Sequence, residues 1–122
     1  MQIKSLQEAL NQCDIITLHV SAVLEHPFCL GKKEIFSMKK GAYLVNVSRG
    51  VLIDELSLIE ALRSGHLAGA GLDVYEQEPY MGDLCDFSNV VLTPHVATLT
   101  QESRLEMEIE ATKNIVDFFK LA

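Results

Sequence analysis

The sequence predicts an α/β domain in which a parallel sheet is covered on both faces by helices. Two observations carry that expectation. Apolar runs of strand length alternate with segments of helical periodicity. The strand segments are nearly continuous in aliphatic and β-branched residues, as in strands buried on both faces, rather than alternating apolar with polar. At 122 residues the chain is sized for one domain, and its 48 % apolar residues suffice for a core.

The elements follow in order. Ser5 to Asn11 reads as a short helix, with Ser5 as N-cap and Glu8 three residues on. Asp14 precedes a strand over Ile15–Val20. Residues 21–31 lack periodicity and read as a loop. Lys32–Met38 is a short helix closed by Lys39, Lys40 and Gly41, whose charge suits the carbonyl end of a helix. A second strand, Ala42–Val47, is broken by Ser48-Arg49-Gly50. Asp54 caps a helix over Glu55–Arg63 that is expected to bury Leu56, Ile59 and Leu62 and to stop at Ser64-Gly65. Leu67–Val74 contains a third strand, interrupted by Ala68-Gly69-Ala70-Gly71. A loop with Pro79 and Gly82 leads to a short fourth strand, Val90–Leu92, cut by Thr93-Pro94-His95. Thr100 caps a last helix reaching about Lys120, with Leu105, Ile109, Thr112, Ile115, Val116 and Phe119 on its apolar stripe.

Composition narrows the partners. The net charge is −7, from 10 basic and 17 acidic residues. Nucleic acid and anionic membranes both require clustered positive charge, so neither is expected. An anionic small substrate stays open, because one well-placed arginine can bind a carboxylate. Cys13, Cys29 and Cys85 form no Cys-x-x-Cys pair. Neither a metal site nor a disulfide framework is indicated, and reduced thiols in a cytoplasmic protein are expected. No apolar run follows Met1-Gln2-Ile3-Lys4, so no signal peptide is expected. No stretch approaches the ~20 apolar residues of a membrane span.

Parallel sheets bind ligands at the carboxyl ends of their strands. His19 ends the first predicted strand, Arg49 follows the second, Asp73 ends the third and His95 follows the fourth. The planar guanidinium of Arg49 can hold a carboxylate through two parallel hydrogen bonds, although from composition alone a surface arginine at a turn is the favoured reading of that residue. Glu78 beside His95 would fix the tautomer of the imidazole and favour its charged form, the arrangement of a proton donor to a carbonyl oxygen. Taken alone, His95 reads as an ordinary loop residue. His19, His26 and His66 are weaker proton-transfer candidates, with His66 in a turn and His26 on a loop surface. Asp73 follows Gly69-Ala70-Gly71-Leu72, whose small residues admit close approach to the backbone. A structural aspartate bonding a neighbouring turn fits it equally well.

Three segments carry a resemblance. They are Asn46-Val47-Ser48-Arg49-Gly50-Val51-Leu52-Ile53-Asp54, the run from Leu67 to Pro79 (LAGAGLDVYEQEP), and Asn89-Val90-Val91-Leu92-Thr93-Pro94-His95. In order and spacing they resemble the NAD-dependent D-2-hydroxyacid dehydrogenases, over nearly the whole chain. The resemblance implies a partial Rossmann-like fold: the C-terminal portion of a NAD-binding domain, lacking the first βαβ half and the substrate domain. It implies reversible hydride transfer between NADH and a 2-keto acid. Arg49 is similar to the arginine that binds the substrate carboxylate and polarises the keto group, His95 to the general acid/base, and Glu78 to its carboxylate partner. Asp73, Val47, Ser48 and Ala97 are similar to residues around the nicotinamide, and His19 opens a further cofactor-side segment.

The chain also departs from that family. No Gly-x-Gly-x-x-Gly occurs to seat a pyrophosphate on a helix N-terminus, and no acidic residue for the adenosine ribose is found. Where family members often read His-x-Pro-x-Thr, this chain has His19-Val20-Ser21-Ala22-Val23, which loses a hydroxyl near the cofactor. The NAD site is therefore incomplete within these 122 residues, and the isolated chain is expected to be an inactive fragment of such an oxidoreductase. The alternative is a non-catalytic interaction module or relic that keeps the half-fold. An open edge at the first strand and an exposed last helix predict homo-oligomers. His95-Val96-Ala97-Thr98-Leu99-Thr100 leans toward the D-lactate branch, with D-3-phosphoglycerate left open as substrate.

Overall fold

A computed structural model describes residues 5–20 and 29–120. Its order is α1 (Leu6–Gln12), β1 (Ile15–Leu18), α2 (Lys32–Ser37), β2 (Ala42–Asn46), α3 (Glu55–Arg63), β3 (Leu67–Leu72), β4 (Val90–Leu92) and α4 (Gln101–Phe119), with 3-10 turns at Gly50–Leu52 and Asp83–Asp86. All four strands are parallel and lie side by side in the order β1-β2-β3-β4. The partial Rossmann-like sheet expected from the sequence is what forms.

The predicted caps are in place. Ser5 accepts from the Glu8 amide, Asp54 from the Ser57 amide and Thr100 from the Ser103 amide. Each satisfies one of the donors a helix N-terminus leaves unpaired, a contribution of about 1 kcal/mol. Gly65 ends α3 with φ at 68°, while the amides of Gly65 and His66 bond back to Leu62 and Ala61. That paired bonding requires the left-handed region, which glycine enters without steric cost.

Two local expectations, on the buried face of α3 and on the continuity of β3, are corrected. Leu56 is 76 % exposed, and α3 instead buries Leu58, Ile59 and Leu62 together with Ser57, whose hydroxyl also bonds the Asp54 cap. As expected, Lys39 lies beyond α2, whose C-cap is Met38; it pairs with Asp14 at 2.5 Å across the start of β1. β3 is continuous through its small residues. A Cβ at Gly69 would meet the Asn89 carbonyl at 2.5 Å and the Tyr43 ring at 3.1 Å. The glycine thus makes room for the chain entering β4.

The register separates the two faces of the sheet. Ile16, Leu18, Leu44, Asn46, Ala70, Leu72, Val90 and Leu92 share one face and join the core with Ile35, Leu58, Ile59 and Leu62 from α2 and α3. Burying each large aliphatic side chain there contributes roughly 1.5–3 kcal/mol. The other face carries Ile15, Thr17, Tyr43, Val45 and Val91. Ile15 is 63 %, Tyr43 50 % and Val91 68 % exposed. Coverage on both faces is therefore corrected to coverage of one among the described residues. The strands are apolar on both sides, but α2 and α3 pack on the same side. β1 is a sheet edge, as expected, and α4 buries none of its residues.

Candidate active site

Because the strands are parallel, the residues following each of them gather on one edge of the sheet. Asn46, the last residue of β2, shapes the loop that presents Arg49. It is 1 % exposed; its Oδ1 accepts from the Ser48 amide at 3.0 Å, and its Nδ2 donates to the Arg49 carbonyl at 2.8 Å. The Ser48 hydroxyl donates to the Val20 carbonyl, tying this loop to the end of β1. The Arg49 side chain is exposed, donates from Nη1 to the Ser48 carbonyl at 2.6 Å, and has no acidic partner among the described residues.

Gly50 brings this loop against the next. A Cβ there would lie 1.9 Å from the Tyr75 carbonyl carbon. Tyr75 anchors the second loop: its hydroxyl lies 2.9 Å from the Leu72 carbonyl and 3.0 Å from that of Thr93, and its ring stacks on Tyr80 at 4.5 Å. Tyr80 donates to Glu55 on α3 at 2.7 Å, and burial together with that bond pushes its phenol up to about 12. The loop is thus held at both ends around Glu78, whose bond to Pro79 is cis. Glu78 Oε1 accepts from the Tyr75 amide at 3.1 Å, and Oε2 faces His95 Nδ1 at 3.0 Å. The His95 bond, helped by the Tyr75 amide, holds the Glu78 carboxyl below the usual carboxylate range. A cleft of about 510 Å³ opens beside the pair, lined by Tyr75, Glu78, Pro79, Tyr80, Leu92 and Pro94.

Asp73 follows β3 directly and is 4 % exposed. Its Oδ1 accepts from Thr93 Oγ1 at 2.5 Å and from the Val96 amide at 2.9 Å, and its Oδ2 accepts from the Ala97 amide at 3.0 Å. Burial works to raise this carboxyl, but the three bonds and nearby His95 outweigh it and the net shift is downward. His95 sits within the turn these bonds enclose, with φ at 55°.

The remaining candidates are more dispersed. His19 is exposed just past β1, with Nε2 3.0 Å from Thr17 Oγ1. Val47 and Ala97 are exposed and Ser48 half-buried on the same edge. His66 lies at the opposite end of the sheet, stacked on Phe36 at 5.0 Å. His26, Ser21 and Val23 fall outside the described residues. Sequence reasoning overlooked Asn46, Gly50, Tyr75 and Thr93 as shapers of the site. A polar Asn closing an apolar strand was the one signal available. Among the described residues, no three His, Cys, Asp or Glu side chains group as a metal site would need, and no helix is long and apolar enough to cross a membrane.

Comparison with known proteins shows what the chain resembles. Residues 1–97 match the family model described as D-isomer specific 2-hydroxyacid dehydrogenase, NAD binding domain. A glyoxylate reductase of Aeropyrum pernix is 43 % identical over 94 % of this chain and 35 % of its own length. The apo D-mandelate dehydrogenase of Rhodotorula graminis superposes with a TM-score of 0.87 at 32 % identity, covering 95 % of this chain and 34 % of that one. A D-lactate dehydrogenase of Aquifex aeolicus, solved with NAD and lactic acid, gives 0.81 at 33 % identity, covering 96 % and 40 %. The chain spans about a third of the length of the curated relatives it matches.

Proposed function

Since this chain belongs to the D-isomer specific 2-hydroxyacid dehydrogenase family, we propose that its carboxyl-edge loops serve the NAD-dependent interconversion of a 2-keto acid and a D-2-hydroxy acid. The observation that carries this is the Glu78–His95 contact at 3.0 Å, on the edge that also presents Arg49, which has no acidic partner among the described residues.

The roles are those the family resemblance implies, and the chemistry of each group suits them. Arg49 binds the substrate carboxylate and polarises the keto group. Glu78 receives Nδ1–H of His95, which leaves Nε2 to hold the proton given to the carbonyl oxygen and to take it back in the reverse direction. Val47, Ser48 and Ala97 fit the nicotinamide end of NAD, being small or apolar and accessible at the strand ends, with His19 beside them and Asp73 behind Ala97. NAD, when bound, supplies or accepts the hydride. The pyrophosphate end has no counterpart here, because the 122 residues contain no Gly-x-Gly-x-x-Gly.

On this reading the chain is one part of a dehydrogenase site and does not turn over by itself, since hydride transfer depends on the reactants being held in register. Copies associate through the β1 edge and α4, and the free cysteines suit the cytoplasm. The relatives include glyoxylate, D-mandelate and D-lactate enzymes, so the lean toward D-lactate is not carried forward.

The test grafts this chain onto a relative. Residues 5–120 replace the matching segment of the A. pernix glyoxylate reductase, and NADH oxidation by glyoxylate is followed beside calorimetric NADH binding. Turnover that disappears in His95→Ala supports the reading. A folded chimera that binds NADH without turnover overturns it and favours a non-catalytic binding module.

A further inference from the structure

We propose that Asp73 is a positioning residue whose carboxylate folds the turn that delivers His95 to Glu78. The proposal rests on the reading of His95 as the proton carrier and names what holds it there.

The geometry is specific. A carboxylate offers about four acceptor positions, and three of those on Asp73 are filled from one segment, by Thr93 Oγ1 and by the amides of Val96 and Ala97. These donors bracket His95 on both sides in sequence. Between them the chain reverses tightly: the His95 amide bonds the Thr93 carbonyl at 3.0 Å across Pro94. His95 then takes φ 55°, a region that non-glycine residues avoid unless their surroundings impose it. Thr93 is itself fixed, its amide bonding the Leu72 carbonyl and its own carbonyl lying at the Tyr75 hydroxyl. Asp73 is the buried anion at the centre of this arrangement, and His95 is the exposed group at its tip.

Glu78 reports the delivery. Contact with His95 is the largest influence lowering its carboxyl, while the charge of Asp73 acts on it in the opposite sense. Positioning and simple charge therefore predict opposite outcomes when Asp73 is neutralised. The experiment is a carbon-detected carboxyl NMR titration of Glu78 in the 122-residue chain, in Asp73→Asn and in Thr93→Val, with circular dichroism to monitor the fold. In Asp73→Asn the Glu78 midpoint moves up toward the ordinary glutamate value, and the Val96 and Ala97 amide resonances move upfield. A midpoint that stays or falls overturns the proposal. Thr93→Val keeps the Asp73 charge and removes one bond, so the midpoint rises by less. No movement there overturns the proposal even if Asp73→Asn fails to fold. No step requires turnover. A chimera inactive in the test above would sink the dehydrogenase reading and leave this result standing, and the converse also holds.

Discussion

A Cβ on Gly50 would lie 1.9 Å from the carbonyl carbon of Tyr75. The loop presenting Arg49 and the loop presenting Glu78 therefore touch backbone to backbone, at a distance only glycine allows. Gly50→Ala must push the two loops apart, because the atoms it meets are main chain and cannot rotate away. We expect a loss of about 2–4 kcal/mol in urea unfolding, at the upper end of overpacking effects. Gly71→Ala is the matched control: its Cβ would meet only Val45 methyls at 3.8 and 3.9 Å, and stability should change by less than about 1 kcal/mol. Equal effects at the two sites would contradict the close loop contact.

In the catalytic chimera, His95→Ala removes the proton carrier and should lower kcat by roughly 10²–10⁴. Arg49→Lys keeps the charge and loses the two-pronged geometry, so KM for the 2-keto acid should rise steeply. Wild-type kinetics from either variant would show that the site is misassigned.

Acid should weaken the fold through Asp73. Its folded-state value lies below its ordinary value of 3.8. A depressed carboxylate contributes stability that is fully present above the unfolded value and is lost as pH falls through the folded one. Unfolding free energy should therefore decline as pH drops below about 4, and Asp73→Asn should flatten that part of the profile. At pH 7 the same variant should cost about 2–4 kcal/mol, because bonds to a buried charge are among the stronger ones. Parallel acid profiles in the two proteins would refute the assignment.

The exposed apolar surfaces predict association. Leu105 and Ile109 on α4 are each 58 % exposed, and Ile115 is 57 % exposed. Light scattering after size exclusion should find dimers or larger species at micromolar concentration, shifted toward monomer in Ile109→Asp. A monomeric wild-type chain would count against it.

Much of this molecule was legible locally. Ser5, Asp54 and Thr100 cap their helices as their spacing indicates, since a cap needs only the next three residues. Gly65 ends α3 for a similarly short-range reason. Leu56 misled because a nine-residue helix has several plausible apolar faces, and which one is buried depends on how the helix rolls against the sheet. Two-sided coverage misled because apolar strands record that both faces avoid water without recording which segment covers them.

By itself, the sequence determined the alternation of strands and helices, their caps and order, and the residues that follow each strand. Those features follow from short-range periodicity and turn chemistry. The pairing of Glu78 with His95 was already expected and is met across 17 positions; only the tertiary structure decided that Asp73 reaches the turn at Thr93, Val96 and Ala97. It also decided that, among the described residues, one sheet face is left open. Those outcomes depend on β3 lying beside β4 and on α2 and α3 packing on the same side, and they are set by long-range packing that no local pattern encodes.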